Sequence, residues 1–210
     1  MYQNIVKRLL DLLISLISII ILSPILLAVS MLIYIKLGKP VLFVQKRIGK
    51  NNEPFNMFKF RTMTSKKDKN NNLLPDEKRL TRFGKVLRKT SIDELPALIN
   101  IIKGDMSLIG PRPLPIVYYP YFTDEELHRH DVKGGLSGLA QINGRNALTW
   151  EQKFKYDLQY VQQISFKLDF SIFLKTILKV FKRSDVLVRR SDGKGDLDAQ
   201  RPPLREELIK

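Results

Sequence analysis

Cysteine is missing from all 210 residues, so neither a disulfide nor a thiolate metal site can hold this chain together or serve its chemistry. Histidine is almost missing. His128 and His130 flank Arg129, and a His-x-His pair alone is weak ground for a metal, so we read both as structural. No Walker A lysine loop, dinucleotide glycine fingerprint or Ser-His-Asp order occurs, and no internal repeat. Acidic residues are scarce as well: 21 Asp and Glu stand against 36 Lys and Arg, a formal net charge of +15. So basic a surface suits nucleic acid, acidic lipid headgroups or phosphorylated substrates. Neither a nucleic-acid module nor an aromatic stacking platform accompanies the charge, and no nucleic acid partner is expected.

What the chain has in excess is one apolar run. Leu12 to Ile35 are 24 residues without a charge, enough to cross a hydrocarbon core of about 30 Å as a helix. Lys7 and Arg8 precede it, and Lys36, Lys39, Lys46 and Arg47 follow. Basic flanks favour the cytoplasmic side, so both ends are assigned to one face and the segment must turn inside the bilayer. Ser23-Pro24 is the place for the turn. Pro24 has no N–H and clashes with the carbonyl of Ile20, while the Ser23 hydroxyl can satisfy a freed carbonyl where water is absent. The expectation is a re-entrant helix-break-helix hairpin over residues 1–36, with a kinked spanning helix as the alternative. A signal peptide fits poorly, because the run exceeds an h-region and no small-residue cleavage site closes it.

Residues 37–183 suffice for one cytoplasmic domain with its own core. Val41–Val44 and Phe55–Phe60 flank Gly49-Lys50-Asn51-Asn52, the pattern of a β-hairpin. Ile92–Lys103 reads as a short helix ended by Gly104. Two prolines make Gly110-Pro111-Arg112-Pro113 extended or turn-like, and a short strand is expected near Leu139–Ile142. From Ser165 to Lys182, Phe166, Phe170, Phe173, Leu174, Ile177, Leu178 and Phe181 form a helical stripe bordered by lysines. Such a stripe is usually core, but its Phe content and Lys border also suit a helix lying among headgroups. Residues 184–210 read as a flexible charged tail. The fold class is therefore α+β: a membrane hairpin, a small β-hairpin and a mostly helical cytoplasmic domain with interfacial amphipathic helices.

The sharpest local feature is Ser91-Ile92-Asp93-Glu94-Leu95-Pro96. One reading is a capping box, Ser91-x-x-Glu94, with Pro96 near a helix start. The other is chemical. A helix N-terminus attracts phosphate oxygens and keeps Asp93 ionised. An ionised Asp is a nucleophile toward phosphorus, and a neighbouring carboxylate can hold Mg²⁺ against phosphates. Lys59 and Arg61 alternate with Phe58 and Phe60 and so share a strand face. Arg88 precedes the acid pair, and Arg112 sits between two prolines. A transferring phosphoryl group needs such cations around it.

The blocks Lys7-Arg8-x-x-Asp11, Ser23-Pro24, FKFRTM (58–63), the stretch 74–114, RHDVKGGLSGLAQINGRN (129–146) and FKYDLQYV (154–161) cover most of residues 1–182 in order. They resemble the small monotopic phosphoglycosyl transferases, also called bacterial sugar transferases. The likeness is greatest to the minimal members that start protein N-glycosylation with diacetylbacillosamine phosphate. The resemblance implies transfer of a sugar phosphate from a UDP-sugar to undecaprenyl phosphate, with release of UMP. Asp93 would attack the β-phosphorus and carry a covalent phosphosugar. Glu94, beside Asp93, would help bind Mg²⁺. Lys59 would contact phosphate and Arg112 the nucleotide, while Arg88, Arg145, Asp157 and Asp169 occupy further polar positions of the site. Arg8, Asp11, Ser23 and Pro24 belong to the re-entrant membrane segment. The implied location is the cytoplasmic face of the bacterial inner membrane, with membrane lipids as partners and a homodimer left open. The competing reading is a non-catalytic basic membrane scaffold, which would leave the acid pair without a purpose.

Overall fold

The computed structural model describes residues 2–144, 147–182 and 196–206. Lys7–Leu37 form one α-helix, α1, entered through a π-helical turn at Tyr2–Val6. Among the described residues it is the one helix long and apolar enough to cross a membrane. The expected break at Ser23-Pro24 is not there, and α1 runs on through Pro24. The backbone accounting explains why. Pro24 cannot donate to Ile20, and the Ser23 hydroxyl donates to that carbonyl instead, at 2.8 Å.

One face of α1 is buried toward both ends and partly covered between them. Lys7, Asp11, Ser15, Val29 and Ile33 are buried, and between them Ile19 and Leu26 pack on the domain. Their spacing of mostly four residues makes a single stripe. The opposite face is bare hydrocarbon, with Ile20, Ile21 and Leu27 each at least 68 % exposed. Both ends are tied down. Arg8 donates to the carbonyls of Ile101 and Ile102, and Arg61 caps the other end through the carbonyls of Leu37 and Lys39.

The β-hairpin follows as expected. β1 (Leu42–Ile48) and β2 (Pro54–Phe60) pair antiparallel in the register Leu42↔Phe60 to Ile48↔Pro54. α2 (Asp76–Arg79) and α3 (Arg82–Lys89) lead to a 3₁₀ turn at Ile92–Glu94, then α4 (Ala97–Lys103), which Gly104 ends at φ 96°. β3 (Ser107–Ile109) pairs parallel with β4 (Gly135–Ser137). Between these strands lie a 3₁₀ stretch at Ile116–Tyr121, α5 (Asp124–Leu127) and a 3₁₀ turn at His128–His130. α6 (Leu139–Ile142), α7 (Trp150–Gln163), α8 (Phe166–Lys182) and α9 (Leu197–Gln200) complete the chain.

Two expectations are corrected here, and the open reading of α8 is decided. Leu139–Ile142 is a helical turn, not a strand; Gly138 starts it, and the strand lies just before, at Gly135–Ser137. Of the two readings of the α8 stripe, the outward one holds for most of it: Phe166, Phe170, Leu174, Ile177 and Leu178 are exposed, while Phe173 packs on the core beside the buried Asp169 and Ile172. The tail is not free over 196–206. Leu197 is 1 % exposed in a cluster with Ile48, Tyr118, Phe122, Trp150 and Phe154.

Candidate active site

Three elements bring the acid pair to its partners. α3 is capped by Thr81, whose hydroxyl accepts from the Gly84 amide at 2.9 Å. Gly84 lets α3 press on the chain leaving β2, since a Cβ there would lie 2.0 Å from the Thr62 carbonyl oxygen. That contact places Arg88, whose Nε donates to Thr62 Oγ1 at 3.0 Å. Ser91 then turns the chain at φ 57° into the 3₁₀ turn that holds Asp93 and Glu94, both buried. Its side chain caps nothing. The capping box fails because cations from elsewhere in the fold take Glu94.

Lys59 on β2 donates to Glu94 Oε1 at 2.9 Å. Arg112 grips the same carboxylate with two nitrogens, reaching Oε2 at 3.2 Å and also bonding Oε1. The two acids differ sharply as a result. Burial pushes the Glu94 carboxyl up, but the Arg112 and Lys59 charges outweigh it and hold the group well below its ordinary range. Burial and the Glu94 charge push Asp93 up to about 6, against the pull of Lys59, Arg88 and Arg112. Lys59 is itself pushed down by burial while Glu94 holds it up. Three cations thus face two carboxylates, an environment that favours an entering phosphate.

The pair also suits a divalent cation. Oε1 of Glu94 accepts two bonds and Oε2 one, so a lone pair on Oε2 stays open beside Asp93. Mg²⁺ is commonly held by one or two carboxylates, with phosphates and water completing its shell. Among the described residues no cluster of three or more His, Cys, Asp or Glu occurs, so substrate oxygens would have to supply the rest.

The remaining site expectations land elsewhere. Asp157 is buried against Arg129, accepting from Nε and Nη2 at 3.0 and 2.7 Å. Asp169 is buried too and accepts from Tyr2, Lys7 and Tyr160 at 2.6 to 2.7 Å, which ties α1 to α7 and α8. Arg61 caps α1 rather than joining Lys59. Arg8 closes the C-terminal end of α4, and Asp11 accepts from the Leu108 amide at 3.0 Å. Arg145 lies outside the described residues. Both histidines are structural: His130 is buried against Asn52 and pushed down to about 2 by burial and by Arg129, and His128 pairs with Asp131 on the surface.

A family profile described as bacterial sugar transferase matches residues 2–183. The chain belongs to that family. At 46 % identity over 201 residues it is similar to the uncharacterized sugar transferase EpsL of Bacillus subtilis (strain 168), covering 93 % of this chain and all of that one. It is 39 % identical over 180 residues to the UDP-N-acetylgalactosamine-undecaprenyl-phosphate N-acetylgalactosaminephosphotransferase of Aeromonas hydrophila, covering 82 % of this chain and 43 % of that one. It is 38 % identical over 185 residues to the UDP-glucose:undecaprenyl-phosphate glucose-1-phosphate transferase of Klebsiella pneumoniae, covering 83 % of this chain and 40 % of that one. The chain therefore spans the whole of one relative and about two fifths of the other two.

For a bacterial sugar transferase, one residue of this site escaped the sequence. Arg129 donates to the Arg112 carbonyl at 2.7 Å while gripping Asp157, so it sets the backbone that carries Arg112. Its partner stands 28 positions away. No local pattern announces such a pair.

Proposed function

We propose that this bacterial sugar transferase moves a sugar 1-phosphate from a UDP-sugar to undecaprenyl phosphate by a ping-pong route through Asp93. A carboxylate oxygen of Asp93 bonds to the β-phosphorus as the bond from that phosphorus to the bridging oxygen breaks, and UMP leaves with the electron pair. A phosphate oxygen of the lipid then attacks the same phosphorus and returns Asp93 to its carboxylate. Lys59, Arg88 and Arg112 steady the charge that builds on the phosphoryl oxygens. Glu94, with Asp93 beside it, would hold Mg²⁺, which neutralises diphosphate charge when bound. The observation that carries this reading is a buried Asp93 beside a Glu94 whose carboxylate Lys59 and Arg112 grip directly. The names of the Aeromonas and Klebsiella relatives support the donor and acceptor classes.

We place the protein on the cytoplasmic face of the bacterial inner membrane, with α1 unbroken but bending at Pro24, so that it enters and leaves on that side as a re-entrant segment. The stripe of α1 supports this, because Ile19 and Leu26 in its middle also touch the domain, between ends that are buried in it. A crossing helix would carry its middle away. The bare faces of α1 and α8 supply the lipid contact. With no native cysteine, Gln3→Cys and Lys50→Cys can be labelled singly in sealed vesicles. Both should react from the same side; opposite sides would establish a spanning helix.

The donor's sugar is read from a panel of UDP-sugars with undecaprenyl phosphate, scored by UMP release. The sequence resemblance puts UDP-diacetylbacillosamine first, as an opening step of glycoconjugate assembly such as protein glycosylation. UDP-N-acetylgalactosamine and UDP-glucose stand beside it as the donors for which the two relatives are named. A membrane scaffold would release no UMP from any of them.

A further inference from the structure

We propose that residues 196–206 act as a strap that positions Arg112. The segment lies beyond the stretch matching the family, residues 2–183, yet it is built into the wall behind the site. Leu197 fills the aromatic cluster. Arg201 donates to Glu126 at 2.7 Å and lies 5.6 Å over the Phe154 ring. The amides of Leu204 and Arg205 donate to the Pro120 carbonyl at 2.6 and 3.2 Å, and Arg205 Nε donates to the Phe122 carbonyl at 3.1 Å. The strap thereby fastens the 118–127 stretch to α7.

The same two rings form the floor under Arg129. Its guanidinium lies 5.7 Å from the Phe122 ring and 5.8 Å from the Phe154 ring, which meet edge to face. Phe154 and Asp157, three residues apart, share one face of α7 and both touch Arg129. Arg129 in turn holds the Arg112 carbonyl, and Arg112 holds Glu94. Every link from strap to acid pair is a direct contact. Without the strap, Trp150 and Phe154 would meet water on their outer side, and the floor that fixes Arg129 would loosen.

This inference rests on the reading that Arg112 serves the donor, and the test separates the two. In the full-length protein, Arg201→Gln should raise KM for the UDP-sugar about five-fold with kcat within about two-fold, as expected for coupling through packed neighbours. On an Arg112→Lys background the same substitution should change KM no further; a purely structural role would add its full effect. Arg205→Gln, which loosens only the outer anchor, should move KM the same way by less. Trp150 is the sole tryptophan, so a red shift in emission reports undocking. Hydrogen exchange at Gly110–Leu114 in the ligand-free protein should quicken in Arg201→Gln whether or not turnover is seen. A wild type that releases no UMP sinks the enzymatic reading and leaves the exchange arm standing. Unchanged exchange and KM alongside a red-shifted Trp150, or additive effects on KM, would overturn the strap.

Discussion

Asp93 and Glu94 are neighbours in one turn, yet their surroundings divide them into a proton-sharing acid and a locked anion. On the proposed route Asp93 must be ionised to attack phosphorus; in the metal-free protein its carboxyl should titrate in one step near 6, and adduct formation should fall as the carboxyl takes up its proton. Glu94→Gln removes the like charge and leaves three cations, which should move that step down by about one unit, read by carbon NMR titration of the Asp93 carboxyl. Stability carries the opposite sign. Folding raises the Asp93 pKa from 3.8 to about 6, so ionising it opposes the folded state by up to about 3 kcal/mol above pH 6 and by nothing below pH 4. Asp93→Asn should gain on the wild type as pH climbs between those values, measured by urea unfolding in detergent. Lys59, Asp93, Glu94 and Arg112, which the fold brings together, stand out in the sequence: Lys59 lies between Phe58 and Phe60, Arg112 between Pro111 and Pro113, and the acid pair just before Leu95-Pro96. Asp157 and Asp169 came from the family resemblance, which names no partner for them; in the fold they pair with the buried cations Arg129 and Lys7.

At the scale of elements, α1 and α8 each present an apolar face to the outside and another to the core, and periodicity alone cannot say which is which. On α8 the sequence's strongest stripe is the bare one, while Asp169 and Ile172 face inward. Phe170→Glu should weaken flotation with vesicles yet leave thermal stability close to wild type, because that ring is 51 % exposed. Ile172→Glu, at a site with no exposure, should unfold the protein. The same contrast holds on α1. Ile33→Ala should cost about 2–5 kcal/mol in detergent, and Ile20→Ala no more than about 0.5. The β-hairpin was legible at its turn, in Gly-Lys-Asn-Asn, where both Asn51 and Asn52 take positive φ, but β1 runs on past Val44 to Ile48. The continuity of α1 was not, although the Ser23 hydroxyl that secures it was.

At the scale of the molecule, the proposed function needs a basic domain seated on an oily wedge, so that a soluble nucleotide sugar and a lipid-anchored phosphate reach one carboxylate. Charge and apolar run together announced the membrane; the docking of 196–206 stayed hidden because its anchors, Leu197, Arg201 and Arg205, are scattered through a polar stretch. The function proposed for this architecture is covalent transfer. The most direct test is intact-mass spectrometry of the protein after incubation with a UDP-sugar and Mg²⁺, with no lipid present. Covalent catalysis predicts a gain of one sugar phosphate, mapped by peptide sequencing to Asp93, discharged by undecaprenyl phosphate and absent in Asp93→Asn. An adduct on another side chain, or wild-type turnover by Asp93→Asn, would contradict it.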